Sequence, residues 1–196
     1  MDDVVVDLGV VEQFLNTLDR RTFSWHGENF VPSDALTSVE DLSAWLEKRG
    51  LATAGLELRP SDLAAAVALR GALREALTDG GNGYGYGEGG GYGEGDSDGT
   101  AVAQALAAFP LRLAPDPTSG RLRIAAASGV AGLDAIVETV ASSVAGGGWN
   151  RMKLCSSADC RRAFYDTSRN GGGRWCTMKA CGNRNKTRAY RSRQAG

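Results

Sequence analysis

Residues 155–181 read CSSADCRRAFYDTSRNGGGRWCTMKAC and hold all four cysteines of the chain. Four residues separate Cys155 from Cys160, fifteen follow, and four more separate Cys176 from Cys181. Each short-spaced pair can supply one edge of a tetrahedron, the geometry zinc takes with thiolates at about 2.3 Å. Four sulfur ligands leave no open coordination position, so the pattern reads as one structural zinc ion and not a catalytic one. Two disulfides are the alternative reading. They are disfavoured because Met1-Asp2-Asp3 has no secretory character and disulfides are rare in a reducing cytosol.

Between the pairs, the sequence predicts a strand through Arg161 to Asp166, a glycine turn over residues 167–173, and a second strand at Arg174 to Cys176. Phe164 and Trp175 are placed to pack on the metal core, which a module this small needs. After Cys181 the run NRNKTRAYRSRQ has no breaker and predicts a helix with Cys181 in its first turn. Knuckle, hairpin and ligand-bearing helix together predict a small treble-clef-like zinc finger whose folding depends on the ion.

The chain has 196 residues and a net charge of −1, a value that conceals a division. Residues 150–196 carry twelve Lys and Arg against Asp159 and Asp166, a net +10. The other 149 residues carry ten cations and 21 acids, a net −11. Fields act within about a Debye length, roughly 10 Å, so the two parts behave separately. On the final helix Arg184, Arg188 and Arg191 recur at i, i+4 and i+7, bordered by Lys186, Tyr190 and Arg193. Such a surface is suited to duplex DNA, whose phosphates Lys and Arg neutralise with release of counterions. Asn183, Arg184, Lys186, Arg188, Arg191, Arg193, Arg174 and Arg169 are the candidate contacts, with Asn183 or Arg184 placed to reach base edges.

Working toward the N-terminus, Gly146-Gly147-Gly148 marks a boundary between a domain at 1–148 and the finger at 149–196. Apolar residues at helical spacing predict helices over residues 10–19, 37–49, 60–79, 100–109 and 129–145, with a Thr37/Glu40 capping box on the second. The third should bury Leu63, Val67, Leu69, Leu73 and Leu77. Residues 20–36 read as an irregular loop. Residues 110–114 and 121–127 predict a β-hairpin with its arginines, Arg112, Arg121 and Arg123, on the wet face and its leucines inward. The glycine-rich tract at 79–99 predicts a disordered loop. The fold class is therefore α+β: a mostly helical N-terminal domain with one hairpin, followed by the finger. No run is apolar enough to span a membrane, and the chain is expected in the cytoplasm, associated with the nucleoid.

Two strings carry a resemblance. Arg174-Trp175-Cys176 through Cys181-Gly182-Asn183-Arg184-x-Lys186, preceded by Phe164-Tyr165-Asp166-x-Ser168-Arg169-Asn170, resembles the CGNR zinc-finger family. Phe14-Leu15-Asn16-Thr17 and Asp41-Leu42-x-x-Trp45-Leu46 look like the ABATE-type domain that precedes the finger in such proteins. The resemblance implies a bacterial transcription regulator linked to stress responses.

The expected function is zinc-dependent DNA binding, with the N-terminal domain sensing a small-molecule effector or forming a homodimer. Asn16, Thr17 and Arg20 are the candidate effector pocket. RNA binding and protein docking are the alternatives for the finger. No catalytic motif appears, and the single histidine, His26, has no partner base or nucleophile nearby in sequence, so an enzyme is not expected.

Overall fold

Asp7 starts the first helix, α1 (Leu8–Leu15), by accepting the Val10 N–H on its carboxylate at 3.0 Å. A computed structural model describes the chain over residues 7–79 and 99–194. Val11, Phe14 and Leu15 bury one face of α1. The helix stops at Leu15, short of the expected Asp19, because the next residues serve other partners. Thr17 donates to the Phe14 carbonyl, and Leu18–Asp19 enters a ladder as β1.

Residues 20–36 are more regular than expected. Ser24–Trp25 (β2) pairs antiparallel with Glu28–Asn29 (β3), nested inside the pairing of β1 with Ser33–Asp34 (β4). His26 and Gly27 connect β2 to β3 with φ of 50° and 83°, the two left-handed residues of a type I′ turn. The histidine is thus a turn residue. Helix α2 (Val39–Lys48) opens on a capping box between Ser38 and Asp41, one residue later than expected. Leu42, Trp45 and Leu46 are buried as the periodicity requires.

Helix α3 (Pro60–Asp79) packs Ala66, Leu69, Leu73 and Leu77 into the core. Val67, expected there, points outward; Arg70 and Arg74 take the buried stripe instead. Arg70 donates two bonds of 2.6 Å to the Asp34 carboxylate and a third of 2.8 Å to Thr17 Oγ1, tying β4 and the end of α1 to α3. Burying a charge is tolerated only with this kind of complete pairing. The expected disordered tract contributes Asp79 to α3 and Gly99 to α4 (Gly99–Ala107); its remainder, residues 80–98, lies outside the described residues.

Strands β5 (Leu111–Pro115) and β6 (Leu122–Ala126) form the expected hairpin in the register Leu113↔Ile124, but inverted. Leu113 and Leu122 are 71% and 74% exposed. The reason lies in α5 (Ala131–Ala145), whose Glu138 pairs with Arg123 at 2.7 Å and accepts the Ala126 N–H at 2.8 Å. Ala125 on the same side is small enough for close packing and is buried.

Helix α5 adds Leu133, Ile136 and Val137 to the core. Residues 146–151 turn the chain into β7 (Met152–Leu154), which pairs with β8 (Ala163–Tyr165). Met152 and Ala163 join the same apolar cluster as α1, α2, α3 and α5. A π turn over Met178–Gly182 then leads into α6 (Asn183–Gln194). Among the described residues no helix is long and apolar enough to cross a membrane.

Asn16 seats this last hairpin on α1. Its side-chain amide donates to the Ala163 carbonyl at 2.9 Å and accepts the Ala163 N–H at 2.8 Å. Asn16→Ala leaves both groups without partners, and should lower stability by about 2–3 kcal/mol in urea denaturation of the metal-loaded protein. A loss below about 0.5 kcal/mol would mean that water replaces the side chain there.

Candidate metal centre and basic helix

The first cysteine pair sits in the loop of the β7–β8 hairpin, Cys155 directly after one strand and Cys160 shortly before the other. The expected hairpin between the two pairs is absent among the described residues. The strand through Phe164 pairs back with Met152–Leu154, and residues 174–176 approach only through a Ser156 N–H bond to the Arg174 carbonyl at 2.9 Å. Of the second pair, Cys176 precedes the π turn and Cys181 lies within it, its N–H reaching the Thr177 carbonyl at 3.1 Å. Knuckle, hairpin and ligand-bearing helix start remain a treble-clef arrangement.

All four sulfurs lie within 4.8 Å of one another, and all four cysteines are unpaired. The Cys160–Cys176 and Cys176–Cys181 separations are both 3.7 Å. A tetrahedron with bonds of about 2.3 Å has edges of about 3.8 Å, so these sulfurs are placed to share one ion. Their electrostatics lead to the same conclusion. Hydrogen bonds from the Cys160 and Cys176 thiols hold Cys155 far below the ordinary thiol range. That partnership pushes Cys160 and Cys176 upward, and burial raises Cys181. One thiolate is easily formed; four together need a dication among them.

The signature residues around the cysteines have structural work. Asp166 is 3% exposed and accepts Lys153 Nζ at 2.7 Å, the Gly173 N–H at 2.7 Å and the Ser168 N–H at 2.9 Å. Burial opposes its charge, but Lys153 and the two amides outweigh it and hold the carboxyl well below the usual range. Lys153 Nζ also donates to the carbonyls of Gly171 and Gly173, closing the glycine loop. Gly182 lies close under two side chains: a Cβ there would stand 2.6 Å from Met178 Sδ, the end of a flexible side chain that can move away, and 3.2 Å from the Trp175 ring. Asn185 spans from the Cys181 carbonyl to Ser157 Oγ, joining the two ligand turns.

The candidate nucleic-acid residues divide into two groups. Arg184 is withdrawn. Its Nη2 donates to Asp159 Oδ1 at 2.7 Å and Ser157 Oγ at 3.1 Å, and its Cζ sits 3.4 Å from the centre of the Phe23 ring. It therefore fastens α6 to the knuckle and to the loop after β1. Arg188 shares Asp159 at 3.1 Å but is exposed, as are Asn183, Lys186, Arg191, Arg193, Arg169 and Arg174. Arg184, Arg188 and Arg191 do line one shallow groove along α6.

The candidate effector residues separate too. Asn16 and Thr17 are spent on Ala163, Phe14 and Arg70, whereas Arg20 lines an open cleft. Asp159, Phe23, Lys153 and Arg74 were missed as site residues. Asp159 lies between the first two cysteines and Lys153 two residues before them, and Arg70 and Arg74 at i, i+4 on an apolar helix were the readable sign of buried cations.

The fold and site define a helical domain closed by a four-cysteine metal finger with a basic helix. Two family models match the chain. The CGNR zinc finger matches residues 151–194, and the ABATE family, described as "Putative stress-induced transcription regulator", matches residues 9–147. The chain belongs to the ABATE family and carries a CGNR zinc finger. No curated protein matches it.

Asp166→Asn strands the buried Lys153 charge, and should destabilise the metal-loaded protein by about 3–5 kcal/mol in urea denaturation. Because the Asp166 pKa is depressed on folding, its contribution is complete above about pH 4 and is lost as pH falls below that value. Equal stability of variant and parent at pH 7 would show that the Gly171 and Gly173 carbonyls suffice to hold the Lys153 ammonium.

Proposed function

We propose that this protein is a transcription regulator that binds duplex DNA through its finger, with a single zinc ion holding the four cysteines. The supporting observation is the exposed surface of α6. Lys186, Arg191 and Arg193 are exposed there and make no ion pair among the described residues, Arg188 is largely exposed with one ion pair to Asp159, and Arg169 and Arg174 on either side of the glycine loop are exposed as well. An exposed pair is weak and can exchange a carboxylate for a phosphate at little cost. Arg184 belongs to the scaffold in this reading, so sequence readout falls to other side chains. Zinc fits a closed tetrahedral thiolate set and supplies folding energy, not chemistry. No catalytic step is part of the proposal.

Fluorescence anisotropy of a labelled duplex against zinc-loaded protein, across a salt series, tests it. Affinity should fall steeply with salt, and the triple variant Lys186→Ala, Arg191→Ala, Arg193→Ala should flatten the log–log slope by about 2.7, near 0.9 per lost phosphate contact. An unchanged slope would remove α6 from the interface. Preferential capture of structured RNA over duplex at matched salt would move the finger to an RNA partner.

Metal removal supplies a second check. A strong chelator should unfold the finger, followed by circular dichroism, and one equivalent of zinc should restore it, since apparent binding of structural zinc is worth about 10–16 kcal/mol. Full retention of structure after complete removal would make the ion incidental.

A further inference from the structure

Between the loop after α1 and the first cysteine pair lies an open cleft of about 660 Å3. Arg20, Thr22 and Pro32 form one wall; Ser156, Ala158 and Arg161 form the other. The lining holds two guanidinium groups and no carboxylate. The neighbouring acids are already engaged: Asp19 is held by Arg21 at 2.5 Å, and Asp159 by Arg184 and Arg188. Among the described residues neither Arg20 nor Arg161 has a carboxylate partner, and the Arg161 guanidinium donates only a 3.3 Å bond, to Thr78 Oγ1.

Two further observations single out this place. Arg161 has a φ of 52°, a left-handed conformation that costs a residue with a side chain about 1–2 kcal/mol and is ordinarily given to glycine. The chain keeps a long cation at a position where the backbone would be better served without one. Behind it, the buried Arg74 donates to the Arg161 carbonyl at 2.7 Å. Burial, then the charges of Arg20, Arg70 and Arg161, push the Arg74 guanidinium down to about 10. Arg20 and Arg161, without carboxylate partners among the described residues, thus face an open space with the buried Arg74 behind them.

We infer that this cleft binds the oxyanion group of a small metabolite, a phosphate or a carboxylate, between the Arg20 and Arg161 guanidinium groups, with the Thr22 and Ser156 hydroxyls as further donors. Planar guanidinium pairs match such oxyanions with charge-assisted bonds. The walls come from the two parts of the chain, so an occupant bridges the ABATE domain to the finger. It would sit beside the Thr22 N–H bond to the Asp159 carbonyl, 3.0 Å long, whose side chain anchors Arg184. The site stands independently of what α6 binds.

The test is a titration of the full-length, zinc-loaded protein with sodium phosphate and, separately, sodium succinate, at constant ionic strength in chloride, followed by 1H–15N spectra. Saturable shifts at the Thr22, Ser156 and Ala158 amides are expected, half-complete at about 1 mM or below. Arg20→Ala and Arg161→Gly should each weaken binding about fivefold or more, while Arg123→Ala leaves it unchanged. Glycine adopts the Arg161 backbone conformation without strain, so an otherwise unaltered spectrum separates lost binding from lost folding. Saturation by one anion alone assigns the site to phosphate or to carboxylate ligands. Shifts still linear at about 50 mM, or undiminished affinity in both variants, would overturn the inference. So would cleft shifts that appear only when a DNA duplex is added, which would give these arginines to the duplex backbone.

Discussion

Four thiols crowded within 4.8 Å form the constraint on which the C-terminal finger depends. Left as thiols, they compete for protons, because each new negative charge raises the cost of the next. A metal cation held among them would resolve that competition and draw two distant turns together at the same time. The knuckle of β7–β8 and the π turn before α6 have little else to hold them: Phe164, with Phe23 and Trp175 at the edge, is nearly the whole apolar contribution around the sulfurs. Everything that α6 presents to its surroundings follows from where Cys181 is pinned.

The finger is not suspended from the helical domain by a linker. Asn16 holds β8, the Glu12 carboxylate accepts the Tyr165 N–H, Arg74 reaches both the Leu15 and Arg161 carbonyls, and Phe23 receives Arg184. Apart from the Arg184–Phe23 contact, they use backbone groups of the finger, which are indifferent to side-chain identity but exacting in position. They let two parts of opposite net charge share one core without a surface of paired acids and bases. The carboxylate that restrains Arg184 and Arg188 is the finger's own Asp159.

The gathering of the four cysteines was legible in the sequence because two short, matched spacings announce it, and the helices were legible because burial repeats every three to four residues. The parts that escaped depend on partners far along the chain. Nothing before Cys155 marks Met152–Leu154 as the strand partner of Ala163–Tyr165, since three residues cannot display a period. The β5–β6 hairpin was turned inside out because α5 supplies Glu138, and a carboxylate draws Arg123 inward more strongly than leucines can compete for the same side. Arg184 looked like a reader of bases because its helical position allows it. Only the tertiary neighbours Asp159 and Phe23 reveal that it is occupied.

The placement of Met152 and Ala163 has a consequence for the lifetime of the chain. Both are almost fully buried, against α1 and α3, yet they belong to a hairpin that the ion keeps in shape. A molecule that loses its metal does not simply acquire a loose tail. It uncovers one side of the main core, where Val11, Phe14 and Leu69 are packed without exposure. Such surface is what proteases and aggregation select. The amount of intact protein is therefore tied to metal supply through survival of the whole chain.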